Sequence, residues 1–110
     1  MKNILFICSA NKDRSKTAED YYSELYPSML FDSAGTNKKV CIQLGTHYLA
    51  KEQLDWADTI YVMEQKHLKA IKDVFSSQYF NKIIVLQIKD IYKYGAKELI
   101  EKLTTTVVFK

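Results

Sequence analysis

The chain has 110 residues, 47% hydrophobic and 26% charged, with a formal net charge of +3. One proline and three glycines leave no room for a disordered linker, so residues 1–110 are expected to form a single domain with one real core. The mild positive balance favours anionic substrates and is too weak to argue for nucleic acid, two cysteines are too few for a disulfide scaffold, and no apolar run approaches the ~20 residues of a membrane span.

Asn3 to Cys8 contains Ile4-Leu5-Phe6-Ile7 without alternation, the mark of a strand buried on both faces. Its apolar part is too short for a signal peptide and is soon interrupted by charge, so a cytoplasmic location with a reduced Cys8 is expected. From Ser15, residues Ala18, Tyr21, Tyr22 and Leu25 repeat at helical spacing until Pro27. Met29 to Ser33 reads as a second strand. Residues 37–45 resist assignment, with Val40-Cys41-Ile42 a short strand or packed loop. Thr46 to Trp56 reads as a helix, Thr59 to Met63 as a third strand, and Gln65 to Phe75 as a helix with Leu68, Ile71, Val74 and Phe75 on one face. Lys82 to Ile88 is the clearest strand signal. Ala96, Leu99, Ile100 and Leu103 mark a last helix, and the β-prone tail Thr104 to Lys110 either adds an edge or covers apolar surface.

Strands alternating with helices imply βαβ units and a parallel sheet covered on both faces, with ligands expected at the carboxyl ends of the strands. Cys8, Ser33, Met63, Glu64 and Asp90 all fall at that end on this reading.

Fifteen of the sixteen basic residues are lysine; the single arginine, Arg14, sits six residues after Cys8. The run is Cys8-Ser9-Ala10-Asn11-Lys12-Asp13-Arg14-Ser15. Arginine offers a rigid planar fork for two oxyanion oxygens where lysine offers a flexible point charge. A strand entering such a loop and leaving as a helix makes an anion nest of backbone N–H groups, completed by the helix N-terminus. The positions of Gly35, Gly45 and Gly95 exclude both the G-x-G-x-x-G and Walker loops. What remains is a phosphate loop, Ser9 to Ser15, with a nucleophilic thiol at one end and a guanidinium at the other; its positive field favours the thiolate. Ser15 is placed either to donate to that thiolate or to cap the helix, and Asn11 either to brace the loop or to tolerate an unusual backbone angle.

At these residues the chain resembles the low-molecular-weight protein tyrosine phosphatases, closest to a short bacterial branch of predicted phosphatases. The resemblance rests on the N-terminal strand with C-x-x-x-x-x-R-S, Thr17-Ala18-Glu19, Asp32-Ser33-Ala34-Gly35-Thr36, Ala57 to Met63, and Ile88-Lys89-Asp90-Ile91-Tyr92-Lys93-Tyr94. It implies a three-layer α/β fold, a four-stranded parallel sheet of flavodoxin-like order with flanking helices. It implies Ser33 as support for Asn11, and strengthens Asp90 as the general acid that a leaving oxygen needs. Tyr92 and Tyr94 become candidates for a substrate wall. Departures are Ala10 for the usual glycine, Asp13 where some members carry a second cysteine, Ile91 for proline, and a shortened stretch between Gly35 and Ala57. Asp58 is set aside because it precedes the third strand; Glu64 and Asp32 are the reserve acids. Lys38 and Lys39 lie near the presumed mouth, and Lys12 offsets Asp13.

The expected activity is a cysteine-dependent phosphomonoesterase, by resemblance a protein tyrosine phosphatase, acting on a phosphorylated protein or small phosphate ester. The rivals are a phosphate- or phosphoprotein-binding module without turnover, and an arsenate reductase limited to Cys41 as its second thiol. No cofactor is called for, and His47 and His67 lack metal-ligand spacing, so no metal is expected.

Overall fold

The computed structural model describes residues 2–109. Its strands are β1 (Asn3–Cys8), β2 (Leu30–Gly35), β3 (Thr59–Val62) and β4 (Ile83–Val85). The helices are α1 (Arg14–Leu25), α2 (Lys38–Leu44), α3 (Lys51–Trp56), α4 (Gln65–Phe75) and α5 (Lys97–Thr106), with a single helical turn, Phe80–Lys82, before β4. The strands form one parallel sheet in the order β2-β1-β3-β4. This is the expected three-layer architecture.

The missing alternation in β1 has a direct cause. Ile4, Phe6 and Cys8 face a core built with Ala18 and Tyr22 of α1 and Leu99 and Leu103 of α5. Leu5 and Ile7 face a second core with Leu54 of α3 and Ile71 of α4. Successive side chains of a strand point to opposite faces, so a strand with a core on each side must be apolar throughout. Cys8 thus ends β1 on the α1 side, with Ile4 and Phe6 fixing its direction.

Four expectations are corrected. Residues 38–44 are a helix, capped by the Asn37 side chain accepting from the Val40 N–H at 3.1 Å and ended by Gly45 at φ +70°. Only Cys41 of this helix is buried, so it carries no apolar stripe. The helix expected over 46–56 is confined to Lys51–Trp56, because residues 46–49 are drawn out against β2: the Gly35 N–H donates to His47 O and the Leu49 N–H to Gly35 O. β4 ends at Val85. Beyond it the Leu86 N–H donates to Val62 O and the Ile88 N–H to Met63 O, so two residues advance against one, with Gln87 at φ +59°. On α4, Leu68, Ile71 and Phe75 pack against the core while Val74 is 61% exposed.

The tail forms no strand. Thr104 to Thr106 complete α5, and Phe109 closes over Tyr22, Tyr26, Phe31 and Tyr61. Lys110 lies outside the described residues. No described helix is long and apolar enough to cross a membrane.

Candidate active site

The β1–α1 loop lies at the carboxyl edge of the sheet, as parallel topology requires. Its backbone N–H groups from Ser9 to Arg14 donate to no protein acceptor, while its carbonyls are tied down from behind. The Thr36 and Asn37 N–H groups donate to Cys8 O and Ser9 O, and the Thr46 hydroxyl to Ala10 O at 2.6 Å. A loop anchored through its carbonyls presents its N–H groups to the open side, the arrangement of an anion nest.

Asn11 serves both expected purposes. It sits in the left-handed region at φ +52°, and its side chain is 5% exposed and fully engaged. Its Nδ2 donates to Ser15 Oγ at 2.9 Å and to Ser33 Oγ at 2.8 Å, while its Oδ1 accepts from the His47 N–H at 3.2 Å. Ser33 lies within β2 and passes its own proton to Glu19 Oε1. Ser15 Oγ accepts from Asn11 and has two neighbours for its own proton, Cys8 Sγ at 3.0 Å and the Ala34 carbonyl at 3.5 Å; the thiol is the nearer. Ser15 gives α1 no cap, and neither does the side chain of its N-cap residue, Asp13. Directed bonds thus run from Asn11 outward to Ser33 and Glu19 and inward to Ser15, whose hydroxyl lies beside the thiol.

Arg14 is 1% exposed, the most buried charge among the described residues. Its Nη1 donates both protons, one to Glu64 Oε2 at 2.5 Å and one to the Ile88 carbonyl at 2.8 Å. The bend after β4 aims that carbonyl. With Nη1 saturated, the Nε/Nη2 edge is the fork left for an oxyanion, and Asp90 Oδ1 stands 3.7 Å from Nε. Asp90 is itself well exposed, on the segment after β4. Burial opposes ionisation of Glu64, but the hydrogen bond and charge of Arg14, with Lys66 and His67 beyond, outweigh it and hold the carboxyl below the usual range. Glu64 is therefore an ion-pair partner of Arg14 and no longer a reserve acid. Asp32 is spent on the Ser33 N–H and Gln53, and Asp58 accepts from the Asn3 N–H at the opposite end of the sheet.

His67, singled out in the sequence only for lacking metal spacing, is buried beside the loop. Its Nδ1 accepts the Glu64 N–H at 3.0 Å, so the proton is on Nε2 and is donated to Ser9 Oγ at 2.9 Å. Burial, then the charge of Arg14, push the imidazole down to about 4 against the opposing pull of Glu64. The sequence signal for it was present: position 67 is the third residue of α4 after its cap, where a side chain can reach back to the cap N–H. The role of Glu64 was signalled only by its place after β3.

The remaining candidates are more exposed. Lys12 is solvated; Asp13 turns outward, accepting the Tyr94 N–H at 2.9 Å. Tyr92 is half-buried against the α1 core, and the Tyr94 hydroxyl bonds Asp20 of α1. Lys38 lies over the Tyr48 ring and Lys39 is exposed at the start of α2. Cys41 packs beneath the loop, its Sγ 3.8 Å from Ser9 O.

No protein-family model and no curated sequence matches the chain. Solved structures do match in fold, and they place it in the low-molecular-weight-phosphatase-like class of α/β folds. The tyrosine phosphatase Wzb from Escherichia coli K30, in complex with phosphate, superposes with a TM-score of 0.75 over 96% of this chain and 92% of that one, at 21% identity. Wzb from Vibrio vulnificus in complex with benzylphosphonate gives 0.73 over 96% and 90%, at 22% identity. The YwlE arginine phosphatase from Geobacillus stearothermophilus gives 0.66 over 96% and 92%, at 23% identity.

Proposed function

We propose that the protein is a cysteine-dependent phosphomonoesterase, with phosphotyrosine of a protein as its first substrate class and small phosphate esters as the second. The observation that carries this is the division of Arg14: Nη1 is consumed by Glu64 and the Ile88 carbonyl, which leaves the Nε/Nη2 fork beside the N–H-rich loop that begins at the Cys8 thiol. Solved proteins of the same fold include tyrosine phosphatases and an arginine phosphatase, which supports phosphate chemistry for this loop.

On this reading the Cys8 thiolate, steadied by the Ser15 hydroxyl, attacks phosphorus in line. The S–P bond forms as the P–O bond to the leaving group breaks, and Asp90 gives its proton to the departing oxygen. Arg14 and the loop N–H groups hold the equatorial oxygens as charge rearranges, preorganised electrostatics that need no reorientation during the step. Water then attacks phosphorus, the S–P bond breaks, and the water proton passes to Asp90, which restores the acid and releases phosphate. Tyr92 and Tyr94, farther along the segment that carries Asp90, border the leaving group.

Cys8→Ser tests the reading. It is expected to abolish turnover of an aryl phosphate while vanadate still binds, because the hydroxyl preserves the loop and is a far poorer nucleophile at neutral pH. Retention of a tenth of wild-type turnover would remove Cys8 from the mechanism.

A further inference from the structure

The segment that carries Asp90 has no regular structure of its own between β4 and α5; it bends at Asp90, and Ile91 beside it is 72% exposed. Asp90 makes no hydrogen bond of its own among the described residues. On either side of it the segment is held by Ile88, buried in the α1-side core with its N–H on Met63 O, by Tyr92 packed against that core, and by the start of α1. The Arg14 guanidinium takes the Ile88 carbonyl, Asp13 Oδ1 accepts the Tyr94 N–H at 2.9 Å, and Thr17 Oγ1 accepts the Gly95 N–H at 2.9 Å. Asp90 stands between these anchors, 3.7 Å from Arg14 Nε. The Asp13 bond is the informative one. Asp13 is the N-cap residue of α1, where an aspartate ordinarily accepts from its own helix, yet it makes no side-chain cap bond. Its carboxylate reaches instead across 81 positions of sequence to a backbone N–H. The forgone cap and the long closure are two sides of one choice, and they give a physical role to a carboxylate otherwise awkward in a phosphate loop.

We propose that Asp13 is a positioning residue for the general acid: it latches the 88–95 arch to the phosphate loop and so holds Asp90 over the Arg14 fork. The inference rests on the reading of Asp90 as the acid. It gives the arch, which bends at Asp90 itself, a stiffness supplied from the loop it serves, and it couples the two halves of the site through one side chain.

The test is a series of aryl phosphates with phenols of graded acidity, turned over by wild type, Asp13→Ala, Asp13→Asn, Asp90→Asn and the Asp13→Ala/Asp90→Asn double variant. Amide hydrogen exchange at Tyr94 is followed in parallel. Asp13 is partly exposed and its side chain makes no cap bond to α1, so its truncation spares the helix start and both cores. Asp13→Ala is expected to speed exchange at Tyr94 and to cost about tenfold or more on poor leaving groups, with little loss on acidic phenols, because a displaced acid fails only where a proton is needed. Asp13→Asn keeps the accepting oxygen and restores the wild-type leaving-group dependence. The double variant is no steeper than Asp90→Asn alone. A wild-type dependence in Asp13→Ala beside a steepened one in Asp90→Asn overturns the latch and leaves the acid standing. So does an Asp13→Asn as impaired as Asp13→Ala, since charge rather than the bond would then matter. A wild-type dependence in Asp90→Asn removes the acid itself, and this inference with it.

Discussion

The loop from Cys8 to Ser15 and the arch from Ile88 to Gly95 face each other across the same site and are built on opposite principles. In the loop and its supports, Asn11, Arg14, Ser15, Ser33 and His67 are buried, and every buried polar side-chain atom among the described residues has a partner. In the arch, Lys89, Asp90, Ile91, Lys93 and Tyr94 are exposed. On the proposed function the difference follows from what each would hold. An oxyanion presents the same oxygens whatever ester carries it, so its donors gain from being fixed before it arrives. The leaving group varies, and Asp90, the acid on the proposed reading, sits where solvent and substrate both have access.

After loss of the Cys8 nucleophile itself, the largest effect expected on the rigid side is from Arg14→Lys, which keeps the charge and loses the fork. It should lower kcat/KM at least about 100-fold, since removing one preorganised donor set costs roughly 3 kcal/mol. Near-normal kcat/KM would mean that any cation suffices, and the loop would owe nothing to the geometry of its guanidinium.

Acid should undo the loop before the rest of the fold. His67 is held down to about 4 in the folded chain against 6.5 when free. The unfolded chain therefore binds more protons between those values, and stability rises with pH across the window. The contribution, up to about 3 kcal/mol, is complete above pH 6.5 and is lost as pH falls toward 4. Glu64, with its carboxyl held below the usual range, adds a further loss at lower pH in the same direction. Urea denaturation at pH 7 and pH 4.5 measures the drop, and a His67→Gln variant should flatten it. An equal pH dependence in that variant would assign the window to other groups.

Gly35→Ala should act on the same loop from beneath. A Cβ there would lie 2.5 Å from the Ser9 carbonyl oxygen and 2.6 Å from Cys41 Sγ, and backbone cannot yield as a flexible side chain does. A loss of about 1–3 kcal/mol is expected, the usual cost of overpacking, together with reduced turnover because Ser9 O and the Asn11 amide nitrogen, 3.0 Å from the added carbon, belong to the loop. Unchanged denaturation and turnover would show the loop to be more yielding than its bonding suggests.

The sequence by itself determined the sheet and the loop that serves it. Unbroken apolar residues in β1 required a core on both faces; the helical spacing of α1, α4 and α5 supplied the covering layers; and a lone arginine six residues beyond a strand-end cysteine marked the candidate anion nest. Those signals are local, because a strand's alternation or a helix's repeat is written within a few adjacent residues. Only the tertiary structure decided the rest. α2 buries Cys41 alone, so no periodicity announced it, although Asn37 and Gly45 stood at its ends. Residues 46–49 are extended because Gly35 and Asn11 bond them across the fold, overriding any preference of their own. The parts given to Glu64, His67 and Asp13 depend on which groups β3, α4 and the arch bring within hydrogen-bond reach of the loop. Such pairings span 50 to 81 residues of sequence. No short-range pattern encodes them, because it is the order of strands in the sheet that makes these residues neighbours.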